Sequence, residues 1–258
     1  MSVLCKLYLA AGIFCCFIFT GCFEVEEKTA FSTATTGNYA ITVDMSEMIA
    51  RLKMFGAGEQ LKELPLQDTT VFFSDVLTID TILTPLEKQT IKGGSLKLQM
   101  NRDENIMKLT LANPFTTLEQ LNQSRDVLFK MLSNTGKGSL PAMEGLAQAS
   151  AGVMNLLDLK TLGIVQKAEK GILTQTISNQ TALKSTFEKD SSLQQLKQMT
   201  SLLGAPVVFK NAFTFPSAIT SFQATNGMLS ADKKSLLIRN TLDDLLENPA
   251  LFTYEVKY

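Results

Sequence analysis

CFEVEEKTAFSTATTGNYAITVDMSEM, residues 22–48, carries the period that decides the fold. Phe23, Val25, Glu27, Thr29 and Phe31 alternate with Glu24, Glu26, Lys28 and Ala30, the two-residue period of a half-buried strand. From Tyr39 the period resumes through Ile41, Val43 and Met45. Between the runs STATTGN (32–38) is rich in turn formers, and Gly37-Asn38 can take positive φ, which predicts a β-hairpin. Asp44 and Glu47 stand at capping-box spacing, and Met45, Met48, Ile49, Leu52 and Phe55 follow at helical spacing until Gly56 and Gly58. The unit is hairpin, then helix.

Upstream lies MSVLCKLYLAAGIFCCFIFTGC (1–22). Lys6 and the α-amino group precede an uncharged apolar run from Leu7 to Phe19, the layout of an export signal. The run from Leu7 to Gly21 is shorter than the roughly 20 residues a membrane span needs. Phe19-Thr20-Gly21-Cys22 closes it with small residues before a cysteine, an ending that resembles the lipobox of bacterial lipoproteins. That resemblance implies a signal peptide at 1–21 and a Cys22 carrying a diacylglyceryl thioether and an N-acyl chain such as palmitate. All four cysteines (Cys5, Cys15, Cys16, Cys22) fall in this stretch, so the body has no disulfide to make and must be held by its core.

The segment Cys-Phe-Glu-Val-Glu-Glu, a Gly-containing turn and Tyr-Ala-Ile-Thr-Val-Asp-Met-Ser-Glu-Met also resembles the start of uncharacterised lipoproteins of Bacteroidota. More distantly it is similar to LppM-type lipoproteins. Near the other end, Phe215-Pro216 followed by Ile219, Ser221 and the Ser230-Ala231-Asp232-Lys233 turn resembles the same groups. The likeness is clearest over 22–50 and 207–258. It implies a membrane-anchored protein without an assigned activity and carries no catalytic residue with it.

Hairpin-then-helix recurs along the body. Residues 57–94 read as loops and short helices, with Thr84-Pro85-Leu86-Glu87 a strong helix start. Leu96, Leu98 and Met100 pair with Met107, Leu109 and Leu111 across the turn 102–105, and Asn113-Pro114 reads as a strand break. Thr116 and Glu119 are placed to cap a helix whose stripe is Leu118, Leu121, Arg125, Leu128, Phe129 and Leu132, with Arg125 expected to snorkel at the stripe's edge. A third hairpin is expected over 164–177 and a helix from about Ser192 to Gly204. The last fifty residues are the most strand-like: Val207, Phe209, Phe213 and Phe215 share a face, Thr241 and Asp244 cap a short helix, and Phe252, Tyr254, Val256 and Tyr258 alternate.

These elements predict an α+β fold, an antiparallel sheet built from successive β-hairpins with helices packed on one face. The divisions expected are the signal at 1–21, an N-terminal part at 22–134, a Gly/Ala/Ser-rich flexible linker at 135–162, and a C-terminal part at 163–258 sharing the sheet.

Composition excludes more chemistry than it suggests. Hydrophobic residues make up 45% and charged residues 19%, a globular balance, and 24 basic against 25 acidic residues leave no field for nucleic acid. The arginines (Arg51, Arg102, Arg125, Arg239) are scattered. No histidine occurs, which removes the Ser-His-Asp and Cys-His nucleophile assemblies and imidazole metal ligation. Ser230 and Lys233 match Ser-x-x-Lys, but a hairpin turn is the simpler reading. Asp243, Asp244 and Glu247 read as capping acids, Asp103 and Glu104 as a turn lacking enough oxygen ligands for calcium, and Gly136–Ser139 as linker. Met45, Met48, Met100, Met107 and Met199 fall on apolar faces as core fillers.

The expected protein is therefore a lipid-anchored cell-envelope protein, outer membrane over inner, bound to the membrane through Cys22 and facing the periplasm or the surface. It binds a partner protein or an apolar ligand there, with no catalytic residue, cofactor, metal or nucleic acid. The alternative is a carboxylate-dependent hydrolase of the cell envelope, which needs two acids facing one cleft.

Overall fold

The computed structural model describes residues 23–56, 66–77, 82–133 and 163–258. Cys22, the signal at 1–21, the linker at 135–162 and Gly136–Ser139 within it lie outside the described residues.

Strands β1 (Phe23–Phe31) and β2 (Gly37–Asp44) form the expected hairpin, with Glu27 opposite Ile41. Phe23, Val25, Phe31, Tyr39, Ile41 and Val43 are buried on one face, and Glu24, Glu26 and Lys28 lie on the other. Gly37 is required by close approach and not by positive φ: a Cβ there would sit 2.1 Å from the Ala30 carbonyl oxygen. Helix α1 (Ser46–Met54) follows without the expected capping box. Asp44 instead accepts the Ser46 N–H at 2.9 Å and pairs with Lys108 at 2.7 Å, while Glu47 turns along the helix to Arg51 at 3.0 Å. Met45 is buried under the sheet end.

Strand β3 (Gln67–Phe72) corrects the expectation of loops there. It is an edge strand pairing with β4 alone, and its polar alternation of Asp68, Thr69 and Thr70 carries almost no apolar signal. Two short helices follow, α2 (Phe73–Val76) and α3 (Pro85–Ile91). At the start of α3 Thr84 and Glu87 make the full capping box, with the Thr84 N–H donating to Glu87 at 2.7 Å. Strands β4 (Ser95–Asn101) and β5 (Ile106–Phe115) pair as expected, except that Pro114 does not end β5. Strand β4 begins at Ser95, opposite Ala112, so past that position β5 has one neighbour only and tolerates a residue without an N–H.

Helix α4 (Leu118–Ser133) is capped one residue later than expected: Thr117 accepts the Gln120 N–H at 3.1 Å, and Gln120 accepts the Thr116 N–H at 2.8 Å. Strands β6 (Ile164–Glu169) and β7 (Ile172–Ile177) form the third hairpin around Gly171, which takes φ 77°. Helix α5 (Gln180–Lys189), absent from the sequence reading, precedes α6 (Ser191–Leu202). Then come β8 (Val207–Thr214), β9 (Ser221–Gln223), β10 (Gly227–Leu229), β11 (Ser235–Thr241), α7 (Leu242–Glu247, with the expected Thr241/Asp244 box), a 3₁₀ turn (Pro249–Phe252) and β12 (Tyr254–Lys257).

The architecture is α+β, and its hairpins divide between two sheets. Eight strands run in the order β10-β11-β8-β1-β2-β5-β4-β3, and four in the order β6-β7-β12-β9. All described pairings are antiparallel except β1 with β8, where Phe23 lies opposite Val207. The small sheet and α4 cover the inner face of the large one side by side. Asn122 of α4 joins them, its side chain donating to the Ala168 carbonyl at 3.1 Å and accepting the Ala168 N–H at 2.8 Å. Aromatic contacts join the sheets: Phe209 with Phe252 and Phe213 with Tyr254, each at 5.5 Å between ring centroids.

Tyr258 stacks on Phe215 at 4.3 Å and packs at a tilt on Phe31 at 5.0 Å, closing the sheet end opposite Phe23. Burial pushes its phenol up to about 12, above the ordinary value of about 10. A phenol whose folded value is raised contributes stability that is whole below the unfolded value and is lost as pH rises through the folded one. Stability should therefore fall between about pH 10 and 12. Tyr258→Phe keeps the stacking and removes this titration, so its melting temperature should fall less steeply over that window. Parallel slopes for the two proteins would contradict the assignment.

Candidate functional site

Among the buried polar residues of the described interior two are ionic, Glu27 and Arg125, and they meet. Glu27 takes an inward position at the centre of β1, where the alternation calls for an apolar side chain, and is 5% exposed. Arg125 takes an inward position on α4 and is 4% exposed. The guanidinium donates to both carboxylate oxygens, Nε to Oε2 at 2.7 Å and Nη2 to Oε1 at 3.0 Å, in the two-pronged geometry that suits arginine. Tyr39, fully buried on β2, donates its hydroxyl to Oε2 at 2.7 Å. Arg125 is thus not at the rim of the helix stripe. Its stem and head are enclosed, with the guanidinium 5.1 Å from the centre of the Phe129 ring, because Glu27 supplies a countercharge that solvent does not.

Burial, the largest single influence, acts to lower Arg125, but the Glu27 charge, the Tyr39 phenol and the hydrogen bond to Glu27 act together against it and hold the guanidinium above its ordinary value. Burial first, and the Glu27 charge second, push the Tyr39 phenol well above its ordinary value, so it stays a hydrogen-bond donor. Facing this pair, the small sheet presents a polar row: Gln166 donates to the Tyr254 hydroxyl, and Gln175 donates to the Phe252 carbonyl at 2.8 Å. Tyr254 is raised for the same reasons as Tyr39, burial first and Glu27 second. Asn211 stands opposite Glu27 on β8 and lines, with Glu27 and Gln175, a gap of about 10 Å³. That space is about one water in size.

Chemically this cluster is a clamp. A general base needs a free lone pair within reach of a substrate proton. Both Glu27 oxygens are committed to Arg125 and Tyr39, and the gap beside them admits no substrate. Its work is to join β1, β2 and α4 across the interior.

Accessible clefts lie elsewhere. One of about 440 Å³ is lined by Lys197, Thr200, Pro206, Thr241 and Asp243. A second, about 430 Å³, is lined by Gln67, Gln99, Asn101 and two acids, Asp68 and Glu104. A third, about 340 Å³, lies over the small sheet by Gln175, Gln223 and Glu255. Asp68 is exposed and pairs with Lys97 at 3.6 Å.

The residues singled out in the sequence take mostly bland positions. Ser230 donates to Asp232 at 2.5 Å in an exposed turn, and Lys233 takes φ 57° there, so Ser-x-x-Lys is a turn. Asp244 caps α7, and Asp103 and Glu104 sit in the β4–β5 turn. Met45, Met48, Met100 and Met107 are buried in the core, and the Met199 side chain lies outside the described residues. Among the described residues no group of three or more acidic, histidine or cysteine side chains could hold a metal ion. The sequence reading missed the Glu27–Arg125 pair. Its signal was an acid and a base each sitting at an apolar-face position.

Fold and interior define a two-layer α+β domain with a sealed ionic clamp and open surface clefts. No family model matches the chain, and no curated protein does. Among solved structures it is similar to the NMR structure of the folded domain of Mycobacterium tuberculosis LppM, at 11% identity over 93% of this chain and 92% of that one, with a TM-score of 0.38.

Proposed function

We propose that the chain is a lipid-anchored cell-envelope protein that binds a partner protein or an apolar ligand at the membrane surface and catalyses no reaction. The observation that carries this reading is the Glu27 carboxylate, enclosed and with both oxygens engaged, in a body without histidine or cysteine after Cys22. The anchor half of the reading rests on the lipobox-like Phe19–Cys22. Two acyl signals hold a protein stably where one binds marginally, at roughly 0.8 kcal/mol per buried CH₂. Cys22→Ser should therefore abolish lipidation and leave the precursor uncleaved. Mass spectrometry of the N-terminal peptide reads this directly, and an unmodified Cys22 in mature protein would sink the anchor.

One observation favours the hydrolase alternative: Asp68 and Glu104 line the same open cleft. Turnover of an envelope ester or glycoside that disappears in both Asp68→Asn and Glu104→Gln would replace the binding reading with that one.

A further inference from the structure

The chain enters the described fold at one end of the large sheet, where Phe23 lies opposite Val207 and Glu24 opposite Asp44. Strand registers place the end of β4, the β4–β5 turn, the start of β3 and the loop from α6 into β8 at this same end. Helix α1 lies across it. Arg51 donates to the Leu203 carbonyl at 2.7 Å, tying α1 to the end of α6. Lys53 donates to the Arg102 carbonyl and, at 2.7 Å, to Asn105, tying it to the β4–β5 turn.

Three large apolar side chains stand exposed next to these tied positions, Met54 and Phe55 at the end of α1 and Leu202 at the end of α6. Met54 is 84% exposed, Phe55 69% and Leu202 83%, and Leu66 at the start of β3 adds 60%. Leu203 and Met48 beside them are buried, so the exposure belongs to particular positions and not to a loosely packed corner. Isolated surface hydrophobes need no explanation, but neighbouring ones ringed by charged groups mark a contact surface.

We propose that this end, with Met54, Phe55 and Leu202 as its tip, rests on the lipid surface, and this inference depends on the anchor at Cys22. Adjacent residues are 3.8 Å apart between Cα atoms, so an acyl-bearing Cys22 sits immediately beside Phe23, with no tether between bilayer and fold. The sheet end that receives the chain is then the end nearest the membrane. Apolar side chains there enter the boundary between headgroups and acyl chains, while Arg51 and Lys53 stay at headgroup level, the arrangement of an interfacial helix. The clefts lined by Lys197 and Asp243 and by Asp68 and Glu104 open at the same end, so a ligand taken from the bilayer would meet them first.

The chain contains no tryptophan, so one introduced residue reports its own surroundings. Full-length lipidated protein carrying Phe55→Trp is reconstituted in phosphatidylglycerol/phosphatidylethanolamine vesicles with and without brominated acyl chains. Leu86→Trp, on α3 and 71% exposed, is the control away from this end, and Leu202→Trp is the second reporter. The expected result is a blue shift and loss of fluorescence to brominated lipid at positions 55 and 202, and neither at 86. Protein that floats with vesicles while positions 55 and 202 stay unquenched keeps the anchor and overturns the orientation. A blue shift without quenching means that a protein surface, such as a second copy, covers the tip, and this too overturns it. Failure to float at all removes the anchor and the inference with it.

Discussion

Arg125→Met should destabilise the fold by roughly 3–5 kcal/mol, the effect of leaving one member of a buried ion pair uncompensated. Glu27 would remain enclosed at the centre of β1, with the Tyr39 hydroxyl on Oε2 and no guanidinium on Oε1. Methionine fills much of the arginine stem's volume, so the loss would report the charge more than a cavity. The triple change Glu27→Leu, Tyr39→Phe and Arg125→Met removes every charged and polar partner at once. Its stability should return to near that of the natural protein or exceed it, since apolar replacement of a buried pair is neutral or stabilising by up to about 4 kcal/mol. Urea unfolding of the three proteins measures both quantities. A loss within about 0.5 kcal/mol for the single variant, the range of ordinary surface changes, would mean that the clamp is solvated and does not bear on the fold.

Much of this clamp was legible before the fold was known. The alternation of β1 put Glu27 in line with Phe23, Val25, Thr29 and Phe31, and the stripe of α4 put Arg125 between Leu121 and Leu128. Each residue alone has a local explanation, an exposed rim or a snorkelling stem. Together they are one acid and one base that both violate a burial pattern, and such violations are where local rules yield to tertiary pairing. What period alone does not carry is partnership. The two residues lie 98 positions apart, and a two-residue period fixes which face a side chain takes, not which strand lies alongside. For that reason the inward faces of β1, β2, β4, β5 and β8 were readable, whereas the parallel union of β1 with β8 and the separation into two sheets were not. Strand β3 escaped notice on different grounds: an edge strand with one neighbour can be built from Asp68, Thr69 and Thr70 because β4 supplies its hydrogen bonds. The capping boxes at Thr84 and Thr241 were legible because that chemistry lies within four consecutive residues, whereas at Asp44 and Glu47 the same spacing yields to the pairing of Asp44 with Lys108 and of Glu47 with Arg51.

Removal of residues 250–258 should abolish the native fold. Strand β12 is an inner strand of the small sheet, bonded to β7 on one side and β9 on the other, so its loss separates the two. Phe252, Tyr254 and Val256 are each less than 5% exposed, and burial of such a side chain contributes roughly 1.5–3 kcal/mol. The damage extends to what they cover. Phe209 and Phe213 lose the rings packed on them, and Phe31 and Phe215 lose Tyr258. Gln175 and Gln166 lose the Phe252 carbonyl and the Tyr254 hydroxyl, and a buried polar group left unpaired costs about 1–3 kcal/mol more. Together these losses reach the 5–15 kcal/mol that typically separates folded from unfolded protein. The truncated chain should show no cooperative melt and no near-ultraviolet dichroism from its packed aromatic residues. Val256→Ala, which spares every hydrogen bond named here, should melt cooperatively at a lower temperature, with a loss of roughly 1–3 kcal/mol for the methyl groups removed from the core. A truncated protein that still melts cooperatively within a few degrees of the intact one would show that the large sheet and α4 form a stable core without the second layer. The clamp between Glu27 and Arg125 would then sit at a solvent-exposed face.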